Sequence, residues 1–262
     1  MDVVAAQQQA RSGARKALSK VPEVTVAFWV TKILTTGMGE VASDFLFQNL
    51  APPIALGIGL VGLVAALVLQ FRAQRYVPWI YWLAVSMVSV FGTMAADVLH
   101  VGAGVPYLVS APLFLAVLAV IFGSWYWREK TLSIHSIHTR RRESFYWGTV
   151  MATFALGTAT GDLTAKTFHM GYLSSGLVFT AVIALPLVAH KWFSLNAIFA
   201  FWFAYVTTRP LGASFADWFG LPSDVGGLGL GSGAITLTLA AVIIACVGYL
   251  TIVERRGVQD DH

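Results

Sequence analysis

The sequence predicts an all-α integral membrane protein with eight transmembrane helices built from four parallel two-helix repeats. Composition is the first reason, since 57% of the 262 residues are hydrophobic and only 11% are charged. The mean hydropathy is +0.71. These values are typical of polytopic membrane proteins rather than of soluble domains. A single cysteine, Cys246, excludes an internal disulfide and a cysteine-rich metal site.

A motif that occurs four times is the second reason. Each copy holds an aromatic residue followed by Trp, then Gly ten residues after the Trp and Asp fifteen residues after it. Successive Trp residues lie 53, 65 and 55 positions apart, which indicates a duplicated unit with one insertion between units two and three. The four copies are Phe28-Trp29…Gly39…Asp44, Tyr81-Trp82…Gly92…Asp97, Tyr146-Trp147…Gly157…Asp162 and Phe201-Trp202…Gly212…Asp217.

The distribution of Lys and Arg is the third reason. If both termini are cytoplasmic, 14 of the 17 basic residues lie in the tails and the cytoplasmic connections, and none lies in an outer loop. This is the asymmetry expected of an inner-membrane protein. Because each unit returns the chain to the same side, the units are predicted to be parallel repeats related by an axis along the membrane normal.

The individual elements follow from apolar runs and their breaks. A cytoplasmic tail is expected over 1–23, the transmembrane domain over 24–254 and a second cytoplasmic tail over 255–262. The first tail is basic and lacks the apolar core of a secretory signal. The repeats are expected at about 24–75, 76–130, 144–191 and 196–254. The predicted spans are 24–49, 54–71, 78–99, 106–127, 145–166, 172–189, 196–218 and 234–253.

Breaks between these spans are marked by Pro, Gly or basic residues. Pro52-Pro53 ends the first span, glycines at 102–104 separate the third and fourth, and a Gly-rich connection over 220–233 separates the last two. The first span carries Lys32, Glu40 and Asp44, so the repeat rather than hydropathy identifies it. A basic insertion covers 128–144.

The repeated aspartates predict one shared site. Fifteen helical residues place each Asp about 22 Å from its Trp, about two thirds of the way through a hydrocarbon core of about 30 Å. Glu40 lies one turn before Asp44, and the equivalent positions in units two and three hold Thr93 and Thr158. Carboxylate and hydroxyl oxygens favour a hard divalent cation, and Mn²⁺ is the species we expect first. The expected metal ligands are Glu40, Asp44, Asp97, Asp162 and Asp217.

Charge within the membrane requires pairing. Eight charged side chains facing lipid would cost about 20 kcal/mol at about 2.5–3.5 kcal/mol each, so we expect them to face the bundle interior. The five acids and the three bases Lys32, Lys166 and Arg209 leave a formal charge of −2. A divalent cation or two protons would neutralise it. In this hypothesis Thr93 and Thr158 support the ion, while Lys166 and Arg209 tune its affinity so that it can leave.

Several of these residues also have purely structural interpretations. Asp162 and Lys166, four residues apart, form either a local ion pair or part of the ligand set. Arg209, which precedes Pro210, is either a counter-ion for Asp217 or a substrate clamp, and Lys32 could snorkel to the cytoplasmic surface.

The remaining motif residues have competing interpretations as well. His100 and His169 are interfacial residues or metal ligands. The Trp residues are expected to anchor the helices at the membrane interface, and each repeated Asp could instead cap a helix break.

No enzyme signature is present. The sequence lacks a nucleophile elbow, a Walker loop and a metal-binding cysteine motif, so we expect neither catalysis nor a cofactor. The formal net charge of +4 comes from short clusters between apolar spans and does not indicate nucleic-acid binding. The expected partners are the lipid bilayer, a divalent cation and protons, and the sequence leaves homo-oligomerisation open.

Four segments resemble a bacterial family of multi-spanning inner-membrane proteins of uncharacterised role. The resemblance covers nearly the whole chain after about residue 20, and it implies a bacterial inner-membrane location, a transporter and an association with tolerance to metal ions such as manganese. The segments are Lys20-Val-Pro-Glu-Val, Phe28-Trp-Val-Thr-Lys-Ile-Leu-Thr-Thr-Gly-Met-Gly-Glu, Gly157-Thr-Ala-Thr-Gly-Asp162 and Thr208-Arg-Pro-Leu-Gly-Ala-Ser-Phe-Ala-Asp217.

Three functions therefore compete. The leading hypothesis is an exporter of a hard divalent cation. The second is a proton-coupled carrier of a small organic or anionic solute, in which the aspartates relay protons and Arg209 or Lys32 holds an anion. The third is a membrane scaffold whose basic insertion docks a partner or anionic lipid.

Overall fold

The computed structural model describes residues 19–260, with side chains through Arg256, and these residues form an all-helical bundle. The predicted tail over 1–23 lies mostly outside the described residues, as does the end of the second tail. Two π-helical segments, Val98–Gly102 and Leu163–Thr167, directly follow α3 and α5. The long helices are α1 (Val26–Asn49), α2 (Pro52–Arg72), α3 (Pro78–Asp97), α4 (Tyr107–Glu129), α5 (Arg140–Asp162), α6 (Tyr172–Phe193), α7 (Ala197–Gly220) and α8 (Ser232–Asp260).

The all-helical prediction is confirmed, and each predicted span corresponds to one long helix. Five of these helices, α2, α3, α4, α6 and α8, are long and apolar enough to cross a membrane, which fits a membrane protein. The helices that carry most of the motif charges, α1, α5 and α7, are not among the five. Helix α5 begins five residues before the predicted span because the hydroxyl of Thr139 caps it, accepting a hydrogen bond from Arg142 N at 3.3 Å.

Four helices form an inner ring, and the other four lie outside it. Each inner helix contacts two other inner helices, in the order α1, α3, α5, α7 and back to α1. The outer helices α2, α4 and α6 each pack on the inner helix of the following unit, and α8 packs on α1. The last unit therefore completes the circle against the first, as expected for units related by rotation about one axis.

The repeated glycines bring neighbouring inner helices into close contact. A Cβ atom added at any of them would lie closer than 3.0 Å to a residue on the adjacent inner helix. The facing residue always lies three positions before the glycine of its own unit, so the four contacts are equivalent. The contacts are Gly39 with Ser89, Gly92 with Phe154, Gly157 with Arg209, and Gly212 with Thr36.

The aromatic-Trp pairs fill the end of the ring at which the inner helices begin. Trp82, Trp147 and Trp202 are buried, so the expectation that they anchor the helices at the membrane interface is wrong. Their rings pack between helices because each one faces the aromatic residue of the preceding unit. The ring centroids are 5.7 Å apart for Phe28–Trp82, 5.7 Å for Tyr81–Trp147, 6.2 Å for Tyr146–Trp202 and 5.6 Å for Phe201–Trp29.

Candidate functional site

Side chains spaced four residues apart on each inner helix line the axis of the ring. They form layers that run from the aromatic-Trp end to the repeated aspartates, and every member of the three layers between these ends is buried. From the aromatic end, these three layers are Lys32, Val85, Val150 and Tyr205; then Thr36, Ser89, Phe154 and Arg209; then Glu40, Thr93, Thr158 and Ala213.

Oxygen atoms from three units converge on the guanidinium of Arg209. Its Nη2 lies within hydrogen-bonding distance of the Glu40 carboxylate, of Thr93 Oγ1 and, at 2.8 Å, of Thr158 Oγ1. Its Nη1 donates to the backbone oxygen of Thr36 at 3.4 Å. The fourth unit supplies no oxygen to the Glu40 layer. Its Arg209 lies one helical turn closer to the aromatic-Trp end, and its guanidinium extends into the centre of the Glu40 layer.

Two expectations about the central bases are wrong. Arg209 pairs with Glu40 on α1 rather than with Asp217 on its own helix, because its fully buried side chain crosses the axis. Lys32 does not snorkel, since it is fully buried, with Nζ 4.3 Å from the ring centroid of Phe154 and 4.4 Å from that of Tyr205. Its Nζ has no hydrogen-bond partner among residues 19–256, and it packs between the two aromatic rings.

The repeated aspartates gather at the opposite end of the axis from the aromatic-Trp pairs. Asp44, Asp97 and Asp217 each lie within electrostatic range of both Glu40 and Asp162. No three or more His, Cys, Asp or Glu side chains within residues 19–256 form a group that could hold a metal ion. The structure therefore brings the predicted acids to one end of the axis without arranging them as a ligand set.

Local contacts involve other members of the predicted site. Asp162 pairs with Lys166 at 2.9 Å, which confirms the local ion pair. His100 is buried and shares a hydrogen bond between its Nε2 and the hydroxyl of Ser110. His169 lies in the loop after α5 with φ of 54°.

A buried polar cluster at the aromatic-Trp end was missed by sequence reasoning. Lys20 Nζ lies 2.6 Å from Glu143 Oε2, and Gln70 Nε2 donates to Glu143 Oε1 at 3.1 Å. The backbone also contributes a hydrogen bond, since Lys20 N donates to Ile137 O at 3.2 Å. The cluster ties the segment before α1 to the end of α2 and the start of α5. The one signal in the sequence was an acid, Glu143, directly after three arginines.

Comparison with known proteins identifies the repeat. A family model described as "Repeat of Unknown Function (DUF347)" matches the chain over residues 27–76, 80–131, 145–195 and 200–256. These segments coincide with the four units expected from the motif. No curated protein and no solved structure matches the chain. Because the matched segments cover most of its length, the chain belongs to the DUF347 family of repeats of unknown function.

Proposed function

We propose that this protein is an eight-span transporter of a hard divalent cation, with Mn²⁺ as the ion to test first. In this proposal the four two-helix units surround the transport path, both termini lie in the cytoplasm of a bacterium, and the ion is exported across the inner membrane. One observation carries the proposal: oxygens from three units surround a positive charge on the axis, directly beside the gathered aspartates.

The Arg209 guanidinium acts as a tethered substitute for the transported cation. It sits at the centre of the Glu40 layer, where Glu40, Thr93 and Thr158 offer the oxygen types that a hard cation takes from proteins. A cation that reaches this layer would displace the guanidinium and take over its carboxylate. The site would then alternate between two positive occupants, one mobile and one covalently attached.

The acids beside this layer would take up the ion in exchange for protons. Asp162 is paired with Lys166, but Asp44, Asp97 and Asp217 have no ion pair within the part of the chain that the structure describes. An arriving divalent cation would bind as these acids release protons, because metal binding to carboxylates displaces their protons. Protons would occupy the same acids when the ion is absent.

The competing guanidinium would also allow release. Breaking a buried ion pair costs about 3–5 kcal/mol, and the entering cation must offset that cost before it binds. The net affinity is therefore moderate, as transport requires. The carrier of an organic anion gains less support, because the guanidinium that would hold the anion already has Glu40 as its partner.

Equilibrium binding of Mn²⁺ to the purified protein in detergent, measured by electron paramagnetic resonance, tests the proposal. We expect saturable binding that Asp97→Asn and Asp217→Asn weaken at least several-fold. Arg209→Gln is expected to tighten binding, because it removes the competing charge. Asp224→Asn is the matched control, since Asp224 is an exposed carboxylate in a turn after α7.

Two results would contradict the proposal. One is the absence of saturable binding for Mn²⁺, Mg²⁺, Ca²⁺, Zn²⁺ and Co²⁺ to a protein that elutes as a single folded species. The other is equal binding by the wild-type protein, Asp97→Asn and Asp217→Asn.

A further inference from the structure

An apolar groove on the outside of the bundle lies between α4 and α7, with α5 behind it. Its volume is about 600 Å³, within the roughly 300–1,000 Å³ typical of sites that hold one small molecule. Leu115 on α4 and Phe199 on α7 line it with more than half of their surface exposed. Exposed apolar side chains of this kind face lipid when helices cross a membrane.

Polar groups are concentrated at one end of the groove. Lys130, Thr131 and Asn196 line it where α4 ends and α7 begins. Among the other polar lining residues, Tyr126 also lies in the last turn of α4, whereas Thr207 donates its hydroxyl to Phe203 O within α7 and is already satisfied. An occupant that matches this lining has one polar head and a long apolar body.

The polar end of the groove carries a positive charge that is free to pair with an anion. Lys130 has an exposed side chain and forms no ion pair within residues 19–256. Two arginines that follow in the sequence are already engaged, because Arg142 lies 2.6 Å from Glu129 and Arg141 pairs with the same carboxylate. The groove end is also the start of α7, where the helix dipole favours an anion.

The end of the groove has a rigid wall. The indole nitrogen of Trp202 donates to Leu132 O at 2.9 Å, which fastens the loop after α4 to α7. Both Trp202 and Leu132 line the groove. This hydrogen bond fixes the loop after α4 against α7 at that end of the groove.

A second groove occupies the equivalent place one unit earlier. It lies between α2 and the start of α5, has a volume of about 420 Å³, and is lined by Val64, Leu67, Val68 and Phe71. Arg72 and Arg140 stand at its end. Two equivalent grooves thus combine an apolar wall with basic residues at the same end of the bundle.

We propose that the α4–α7 groove binds one anionic phospholipid from the bilayer leaflet at this end of the bundle. Its acyl chain lies along Leu115, Phe199 and their neighbours, and its phosphate pairs with Lys130. Basic pockets between transmembrane helices bind anionic head groups in this way. The proposal goes beyond cation transport and does not depend on it.

Native mass spectrometry of the full-length protein tests the proposal, with phosphatidylglycerol and phosphatidylcholine of equal chain length as the probes. We expect one phosphatidylglycerol to bind at least several-fold more tightly than phosphatidylcholine. Lys130→Gln should remove most of that preference. Lys191→Gln is the matched control, because Lys191 is an exposed base in the last turn of α6 and does not line the groove.

A substitution that fills the groove tests the acyl-chain site separately from the head-group site. Val206→Trp places a large side chain against the wall formed by α7 and should abolish tight binding of both lipids, whereas Leu187→Trp, on the exposed face of α6, should leave it unchanged. Thermal melting of each variant verifies its folding.

The proposal is overturned if the two lipids bind equally well to the wild-type protein. It is also overturned if Val206→Trp, folded as well as Leu187→Trp, retains the bound lipid. A change from dimer to monomer caused by Val206→Trp would show that a second copy occupies the groove instead.

Discussion

The contact between Gly157 and Arg209 allows the effect of close packing between inner helices on the free energy of unfolding to be measured. In Gly157→Ala the new Cβ would lie closer than 3.0 Å to both Cβ and Cγ of Arg209 and 3.1 Å from Pro210 Cδ. Ordinary carbon contacts lie at about 3.5–4.0 Å, and atoms this near the backbone cannot swing away. Helices α5 and α7 must therefore move apart by at least about 0.5 Å to restore that separation.

The size of the effect follows from a comparison with Gly148→Ala on the same helix, where a Cβ meets nothing within 4 Å. Both variants gain the same helix propensity, up to about 1 kcal/mol. Only Gly157→Ala pays for overpacking, at about 1–3 kcal/mol. We therefore expect the free energy of unfolding of Gly157→Ala to be about 1–3 kcal/mol below that of Gly148→Ala.

Thermal unfolding in detergent, followed by tryptophan fluorescence, measures this difference. For a chain of this size, about 1 kcal/mol shifts the melting temperature by about 2–4 °C, so Gly157→Ala should melt about 2–12 °C below Gly148→Ala. The reasoning is refuted if the two variants melt at the same temperature or if Gly157→Ala is the more stable.

Three further predictions concern other contacts. Glu40→Leu leaves the Arg209 guanidinium buried without its anion and should destabilise the protein by about 3–5 kcal/mol; the double variant Glu40→Leu, Arg209→Met should melt well above the single one, and an equal or lower melting temperature would contradict the pairing. Glu143→Gln removes the charge that holds Lys20, so limited trypsin digestion should cleave after Lys20 faster than in the wild type, and an unchanged rate would show that the pair does not fix the segment. Thr25→Ala removes the hydroxyl that accepts a hydrogen bond from Phe28 N at 3.2 Å and should cost about 1 kcal/mol in thermal unfolding, whereas Thr25→Ser should cost little; equal losses in both variants would argue against capping.

The helices and the units could be predicted from the sequence because the motif is spaced without gaps. Equal spacing on an α-helix places Trp29, Gly39 and Asp44 at fixed heights and fixed angles, and the same holds in every copy. Hydropathy alone would have missed α1, because Lys32 and Glu40 lower the mean hydropathy of that helix. The repeat located that helix and also placed the aspartates at one end of the bundle.

The partners across the axis could not be predicted from the sequence. Arg209 reaches Glu40 rather than Asp217 because the rotation of α7 in the ring points its side chain across the axis. That rotation follows from the contacts of Gly157 and Gly212 with adjacent helices. Spacing along a single helix carries no information about such contacts.

Burial of the aromatic-Trp pairs and of Lys20 escaped sequence reasoning for a related reason. A Trp at the end of an apolar span has the same local pattern whether it faces lipid head groups or an adjacent helix. Lys20 was assigned to the tail because its partner, Glu143, lies more than a hundred residues away in the sequence. Both cases are decided by how the units pack, which a local pattern does not contain.

Cation flux into proteoliposomes tests the transport proposal most directly. Mn²⁺ entry driven by its own gradient would be measured for the wild-type protein, for Asp44→Asn and Asp162→Asn, and for Asp224→Asn as the exposed control. The account predicts saturable flux that is lost in the first two variants and retained in the third. Absence of flux for every divalent cation tested, with all variants folded, would contradict it.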